Sequence, residues 1–181
     1  VEIDPETGDY NLSQLEKEEI RADTSKAIAD EIVKVIREER RKTVVFATSV
    51  NQAQRIQTWL TEAGIAAAWV SGEPHMGLSQ RRATLVAFDT GEVDVLTSCS
   101  VISEGWNSPS VSCAVMAAPT CSKSTYIQKA GRALRTDPKT NKEDCLILDL
   151  VGAQESHGLV TASVLEDDAD TDLSVDRPKD Q

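Results

Sequence analysis

A chain of 181 residues is about one domain long, and with 40% hydrophobic residues it can bury a core. No apolar run approaches the ~20 residues a membrane span needs, and no basic-then-apolar signal segment opens the sequence. The net charge of −11 sits at the ends: residues 1–20 carry seven acids and one Lys, residues 166–181 carry seven acids and two bases, and residues 21–165 hold 16 of each sign.

A neutral body with acidic ends does not exclude nucleic acid, because such a body can still gather its bases on one face. The ends read as a solvated linker over residues 1–20 and an acidic, disordered tail over 166–181. The sequence starts at Val1 without Met, so it reads as an excised piece or a processed product. Cys99, Cys113, Cys121 and Cys145 form no CxxC pair and only two histidines accompany them, so no zinc site is expected. Cys113 and Cys145 lie inside apolar runs and read as small core residues. This cysteine usage fits a reducing, cytosolic compartment.

In chain order, Ser25 to Arg40 carries apolar residues at Ala27, Ile28, Ile32, Val35 and Ile36, a helical spacing. Thr43 to Thr48 is a short apolar run, β-branched at its start, and predicts a buried strand. Asn51 to Ala63 predicts a second helix with Gly64 as its C-terminal cap. Ile65 to Val70 predicts a second strand. Leu78 to Thr90 predicts a third helix with Leu78, Leu85, Val86 and Phe88 as its apolar set, ended by Gly91. Val93 to Ser98 and Val111 to Ala117 predict two further strands. Ser122 to Thr136 predicts a helix stopped near Pro138, and Asp144 to Leu150 a fifth strand.

Strands alternating with helices of this length imply βαβ units and a parallel sheet covered on both faces. Right-handed crossovers then put every strand's C-terminal end on one edge, where open α/β sheets bind ligands. That edge is polar here: Thr48 to Asn51, Ser71-Gly72, Cys99-Ser100 and Pro119-Thr120 follow the first four strands.

The residues richest in chemistry are Gln128-Lys129-Ala130-Gly131-Arg132-Ala133-Leu134-Arg135. On a helix Gln128, Arg132 and Arg135 share one face. Two guanidiniums and an amide there form a rigid donor array suited to phosphate oxygens. Gly131 removes a side chain beside them, which lets another surface approach. Alone, this pattern is also compatible with an exposed, salt-bridged helix.

It occurs with others. QxxGRxxR resembles motif VI of superfamily 2 helicases. Ser103-Glu104-Gly105-Trp106-Asn107-Ser108-Pro109 resembles their motif V, and Val44-Val45-Phe46-Ala47-Thr48-Ser49 their motif IV. Ser79-Gln80-Arg81 and the helix to Phe88 follow in the family's order. Pro119 to Arg135, with Asp149 to Gly152 and His157-Gly158, is similar to a group of bacterial and phage DEAD/DEAH-type helicases. The resemblance covers about residues 43–160.

What it implies is an α/β, RecA-like three-layer αβα fold with a mainly parallel central sheet of five or six strands. Residues 21–165 would be a helicase C-terminal RecA-like domain. Residues 1–20 would link it to an N-terminal RecA-like lobe of the same protein; Gly8 to Leu12 looks like that connector, although a leader without consequence fits equally. In such motors ATP and Mg²⁺ sit between two lobes, held mainly by the first. The resemblance assigns Arg132 and Arg135 to the γ-phosphate as arginine fingers, with Gln128 and Gly131 beside them. Such a finger contributes on the order of 10³–10⁵ in rate. Gly105 and Asn107 would border the nucleotide. Ser49, Ser71, Gly72, Ser98 and Cys99 would touch the nucleic-acid backbone, since hydroxyls and main-chain N–H groups meet phosphates without reading sequence.

Asn107 stands where the family usually has Asp, and Cys99 near a position often held by Thr, so those contacts depart from the pattern. Trp106 is either a stacking platform or a buried anchor of its loop. No GxxxxGK[ST] and no DEAD-like tetrad occur. Alone, the chain is therefore expected to bind ATP weakly and hydrolyse it negligibly. DNA is expected ahead of RNA by resemblance, with a monomeric, cytoplasmic, bacterial or phage-encoded protein and no membrane association. The competing reading is a stand-alone RecA-like module that binds a protein partner at its strand-edge loops. A Rossmann dinucleotide enzyme fits poorly, because no GxGxxG follows the first strand.

Overall fold

A computed structural model describes residues 2–6, 8–11, 13–15, 17, 24–72, 74–99, 108–119, 127–131, 142 and 144–150. Its elements run α1 (Thr24–Glu39), β1 (Thr43–Phe46), α2 (Val50–Glu62), β2 (Ala67–Val70), α3 (Leu78–Thr90), β3 (Val95–Ser98), β4 (Cys113–Met116) and β5 (Leu146–Asp149). Residues 127–131 are also helical. The five strands form one sheet in the order β2-β3-β1-β4-β5. Every pairing is parallel, with Thr43 opposite both Val95 and Cys113.

Side-chain alternation sorts the sheet into two apolar layers. Val45, Val95, Cys113 and Val115 pack with Ile28, Ala29, Ile32 and Ile36 of α1 and Ile56 and Leu60 of α2. Val44, Phe46, Val70, Leu96, Ala114 and Met116 pack on the other face with Met76, Phe88 of α3 and Ala130. Residues on β1, β3 and β4 are buried throughout, which is why these segments read as continuous apolar runs rather than alternating ones. The one polar side chain within β3's middle, Thr97, donates its hydroxyl to the Ala53 carbonyl of α2 at 2.8 Å.

The helix ends follow their local chemistry. Gly64 takes φ +81 just beyond α2, and Gly91 takes φ +86 at the end of α3. Both lie in the left-handed region where a Cβ is costly. At the chain start, Ile3 and Tyr10 form an antiparallel bridge closed through Gly8, whose φ is +67.

Two expectations about helix faces need correction. Leu78 and Val86 of α3 are 47% and 59% exposed. The covered stripe is instead Arg81, Thr84, Leu85 and Phe88, which keep the i, i+3, i+4, i+7 spacing that the apolar set of four did not. In α1, Ala27 is exposed and Ser25 is buried in the stripe with Ile28, Ala29, Ile32 and Ile36. The strands are also shorter than their apolar runs, although flanking residues such as Ala47 and Ala117 still donate backbone hydrogen bonds to the neighbouring strands.

Candidate functional site

The C-terminal edge of the sheet is organised around the β1–α2 turn. Ser49 is extended at φ −138 and ψ 165 and caps α2, its hydroxyl accepting the Gln52 N–H at 3.0 Å. Gln52 is buried, and its Oε1 accepts the Thr48 N–H at 2.7 Å. The two bonds are a variant of the capping box, with the glutamine reaching one residue further back. Thr48 is tied to both neighbouring strand ends. Its hydroxyl donates to the Ala117 carbonyl at 3.5 Å, and its carbonyl accepts from Cys99 Sγ at 3.7 Å. Ala47 N–H donates to the Ser98 carbonyl at 2.8 Å, and Cys99 N–H to the Val70 carbonyl at 3.4 Å.

Beyond β2, Ser71 is buried and the Gly72 carbonyl accepts from His75 and Met76 N–H at 3.1 and 3.2 Å. This turn drops Met76 into the core and leaves His75 exposed. Between these turns lies a cleft of about 470 Å³, lined by Ser13, Thr48, Ser49, Val50, Asn51, Gln54, His75 and Cys99. None of the lining residues is Lys, Arg, Asp or Glu.

Of the residues picked out from the sequence, Ser49 and Cys99 line this cleft, and Ser71, Gly72 and Ser98 lie at adjoining strand ends. The side chains of Ser71 and Ser98 are covered, at 4% and 2% exposure. Ser98 Oγ has no hydrogen-bond partner among the described residues. A buried hydroxyl without a partner costs stability, and Ser98 is the one such side chain among the described residues.

Sequence reasoning put Asn51 on this polar edge without giving it a role, and did not find Gln54 or His75. Asn51 and Gln54 are three apart in the first turns after the Ser49 cap, so they share its face. That spacing, read together with the cap, was the available signal; His75 had none beyond the Ser71-Gly72 turn before it.

The helical residues 127–131 pack beside the same edge. Ala130 is buried against the layer containing Phe46 and Met116. Lys129 Nζ lies 5.8 Å from the centre of the Phe46 ring, within cation–π range. Burial pushes the Lys129 pKa down, and nearby Asp9 and Cys99 oppose the shift. Gln128 and Gly131 are exposed. A Cβ built on Gly131 meets nothing within 4 Å, so packing among the described residues does not require glycine there. Gly105, Trp106, Asn107, Arg132 and Arg135 lie outside the described residues, as does the 166–181 tail.

The opposite edge is charged. Arg41 donates to both Asp144 carboxylate oxygens at 2.7 and 3.1 Å, to the Ser112 carbonyl at 3.1 Å, and to Glu39. The bonds to Asp144 and Glu39 hold the Arg41 guanidinium protonated, and Arg41 in turn pulls the Asp144 carboxyl below its ordinary range. A second cleft of about 620 Å³ opens here, lined by Arg40, Lys42, Asp89, Lys142 and their neighbours.

Residues 24–137 match the family model described as Helicase conserved C-terminal domain. IRC3 of Saccharomyces cerevisiae, whose name describes it as an ATP-dependent helicase, is 30% identical over 125 residues, covering 69% of this chain and 17% of that protein. A 51.5 kDa protein of a Lactococcus phage is 28% identical over 118 residues, covering 65% of this chain and 25% of that protein. The chain spans a quarter or less of the curated relatives it matches. Among solved structures, S. cerevisiae Dbp5 bound to RNA and ADP BeF3 matches with a TM-score of 0.59 at 17% identity, over 76% of this chain and 37% of that one. The E. coli DEAD-box protein SrmB, bound to regulator of ribonuclease activity A, matches with a TM-score of 0.60 at 22% identity, over 72% of this chain and 76% of that one. These structural likenesses carry the fold: a RecA-like α/β lobe. Among the described residues no helix is long and apolar enough to cross a membrane.

Proposed function

The chain belongs to the helicase conserved C-terminal domain family of superfamily 2, and from that premise we propose that it is the second motor lobe of an ATP-dependent nucleic-acid helicase or translocase. Residues 21–165 form the lobe, residues 1–20 the connector from an N-terminal RecA-like lobe, and residues 166–181 an acidic tail. The first lobe grips the triphosphate and Mg²⁺. This lobe brings Arg132 and Arg135 to the γ-phosphate, with Gln128 and Gly131 beside them and Gly105 and Asn107 bordering the nucleotide.

The observation that supports this reading is the neutral, hydroxyl-lined edge beside the helical residues 127–131. Ser49 and Cys99 line its cleft, and Gly72 follows the next strand. Groups of this kind meet a phosphodiester backbone without reading its sequence. Ser71 and Ser98 would support that surface from beneath. Lys129 on the Phe46 ring fastens the start of QxxGRxxR to the end of β1, so an arginine face following Gly131 would move with the strand edge that contacts nucleic acid.

A finger acts on charge that develops during phosphoryl transfer, so its loss should affect turnover and spare binding. In the complete protein, Arg132→Ala should lower nucleic-acid-stimulated ATP turnover by about 10³-fold and leave nucleotide affinity within a few-fold. Retained ATPase would sink the finger assignment. DNA is placed ahead of RNA on the motif resemblance; stimulation compared on matched DNA and RNA strands decides between them. The chain alone, lacking a phosphate-gripping loop, should show no steady metal-dependent ATPase.

A further inference from the structure

The segment resembling motif V, Ser103 to Pro109, ends in residues held by contacts that its sequence pattern does not announce. Ser108 is 5% exposed and donates its hydroxyl to Asp89 Oδ1 at 2.8 Å. Its carbonyl accepts from Val111 N–H at 3.2 Å, closing a turn through Pro109. The Pro109 carbonyl accepts from Lys142 Nζ at 3.3 Å. On the other side of residues 100–107, Cys99 is tied to Thr48 and to Val70.

Asp89 is an unexpected residue at its own position. It lies in the last turn of α3, where the helix dipole disfavours a carboxylate. Two features offset that cost. Lys42 Nζ donates to the Asp89 carbonyl at 3.2 Å and lies 4.7 Å from the Phe88 ring centre. The Ser108 hydroxyl then supplies a hydrogen bond to a charged acceptor, which is stronger than one to a neutral acceptor. Helix α3 starts at Leu78, just beyond the Gly72 turn and His75, and its last turn, which ends at Thr90, carries Asp89. It therefore runs as one rigid element from the neutral edge to the end of the motif V-like segment.

We propose that Asp89 is a positioning residue that holds Ser108, and through it fixes the C-terminal stem of the motif V-like loop relative to α3. The proposal rests on the motor-lobe reading for its effect on turnover. The anchoring itself is independent of that reading.

The test uses Asp89→Ala and Asp89→Asn, because an amide oxygen still accepts from the Ser108 hydroxyl while a methyl does not. Hydrogen exchange on the full 181-residue chain is followed in peptides covering residues 100–112. Asp89→Ala should speed exchange there by about tenfold, as expected when a local opening loses a charge-assisted bond, and Asp89→Asn should stay within about twofold of the parent. In the complete protein, Asp89→Ala should lower stimulated kcat by about tenfold with KM for ATP changed less than threefold, and Asp89→Asn should restore most of it. Unchanged exchange in Asp89→Ala overturns the proposal, and so do equal effects from the two variants. Altered exchange with unaltered kcat overturns the link to turnover. A complete protein with no nucleic-acid-stimulated ATPase refutes the motor-lobe reading instead, and the exchange result still decides the anchor.

Discussion

The two edges of the sheet are built from opposite chemistry. The N-terminal edge carries Glu39, Arg41, Lys42, Asp89, Lys142 and Asp144, and these charges are paired with one another, with backbone carbonyls or, for the Asp89 carboxylate, with the Ser108 hydroxyl. The C-terminal edge carries Thr48, Ser49, Asn51, Gln52, Gln54 and Cys99, without one Lys, Arg, Asp or Glu in its cleft. Charged side chains fix the starts of strands at positions where water still reaches them. Neutral donors fix the ends, on the surface that the proposed motor-lobe reading turns toward the nucleic-acid backbone. The difference explains why net charge was a poor guide: the 16 acids and 16 bases of residues 21–165 cancel, yet among the described residues one cleft is lined by charges and the other by none of Lys, Arg, Asp or Glu.

The largest effect that tests this contrast is at the charged edge's apolar footing. Phe88 is fully buried under Lys42, and Phe88→Ala should lower unfolding free energy by about 3–5 kcal/mol in urea titration. Next comes the neutral edge's internal wiring. Gln52→Leu keeps the volume but leaves the Thr48 N–H unpaired, which should cost about 1–3 kcal/mol in the same assay. A loss below a few tenths would mean that water replaces the amide and the edge is not preorganised. Ser49→Ala removes only the α2 cap and should cost about 1 kcal/mol, with nucleic-acid affinity falling as well if Ser49 meets the backbone.

Smaller still is the Arg41–Asp144 pair. Arg41 depresses the Asp144 carboxyl, so its contribution is full above the ordinary carboxylate range and is lost as pH falls below it. Asp144→Asn should therefore lose that contribution at pH 7, a small one for an exposed pair, and flatten the acid limb so that the two profiles converge at low pH; an unchanged acid limb would break the idea that this edge is held by charge. Smallest is Ser98→Ala. Removing a hydroxyl with no partner should leave stability unchanged or raise it by up to ~1 kcal/mol. A severalfold drop in nucleic-acid affinity at unchanged stability would show that Ser98 is kept for a ligand, and a clear loss of stability would contradict its unpaired state.

The sheet was legible because its strands are buried on both faces and so read as apolar runs between helical periods. Val44 to Phe46 and Cys113 to Met116 needed no partner to be recognised. Face assignment failed where polarity and burial part company. In α3, Leu78 and Val86 looked like core residues, but the covered stripe runs through Arg81 and Thr84. Long polar side chains can lie along a surface with only their tips in water, and a hydrophobicity pattern does not register that. The site was legible only as motif order. Ser49 and Cys99 could be placed on one edge from strand ends alone. Gln54 and His75 could not, because their convergence depends on a helix cap and on a turn after a neighbouring strand.

The strand order β2-β3-β1-β4-β5 has a consequence for how the lobe comes into being. The first strand to be synthesised is the middle one, and both of its partners, β3 and β4, come much later in the chain. A nascent chain that has emerged only as far as α2 has no second strand on which to lay Thr43 to Phe46, and their apolar side chains must wait. Folding should therefore be late and cooperative, as non-local parallel pairing requires. Chains stopped before Cys113 should be retained by chaperones or degraded, never released as a smaller working piece.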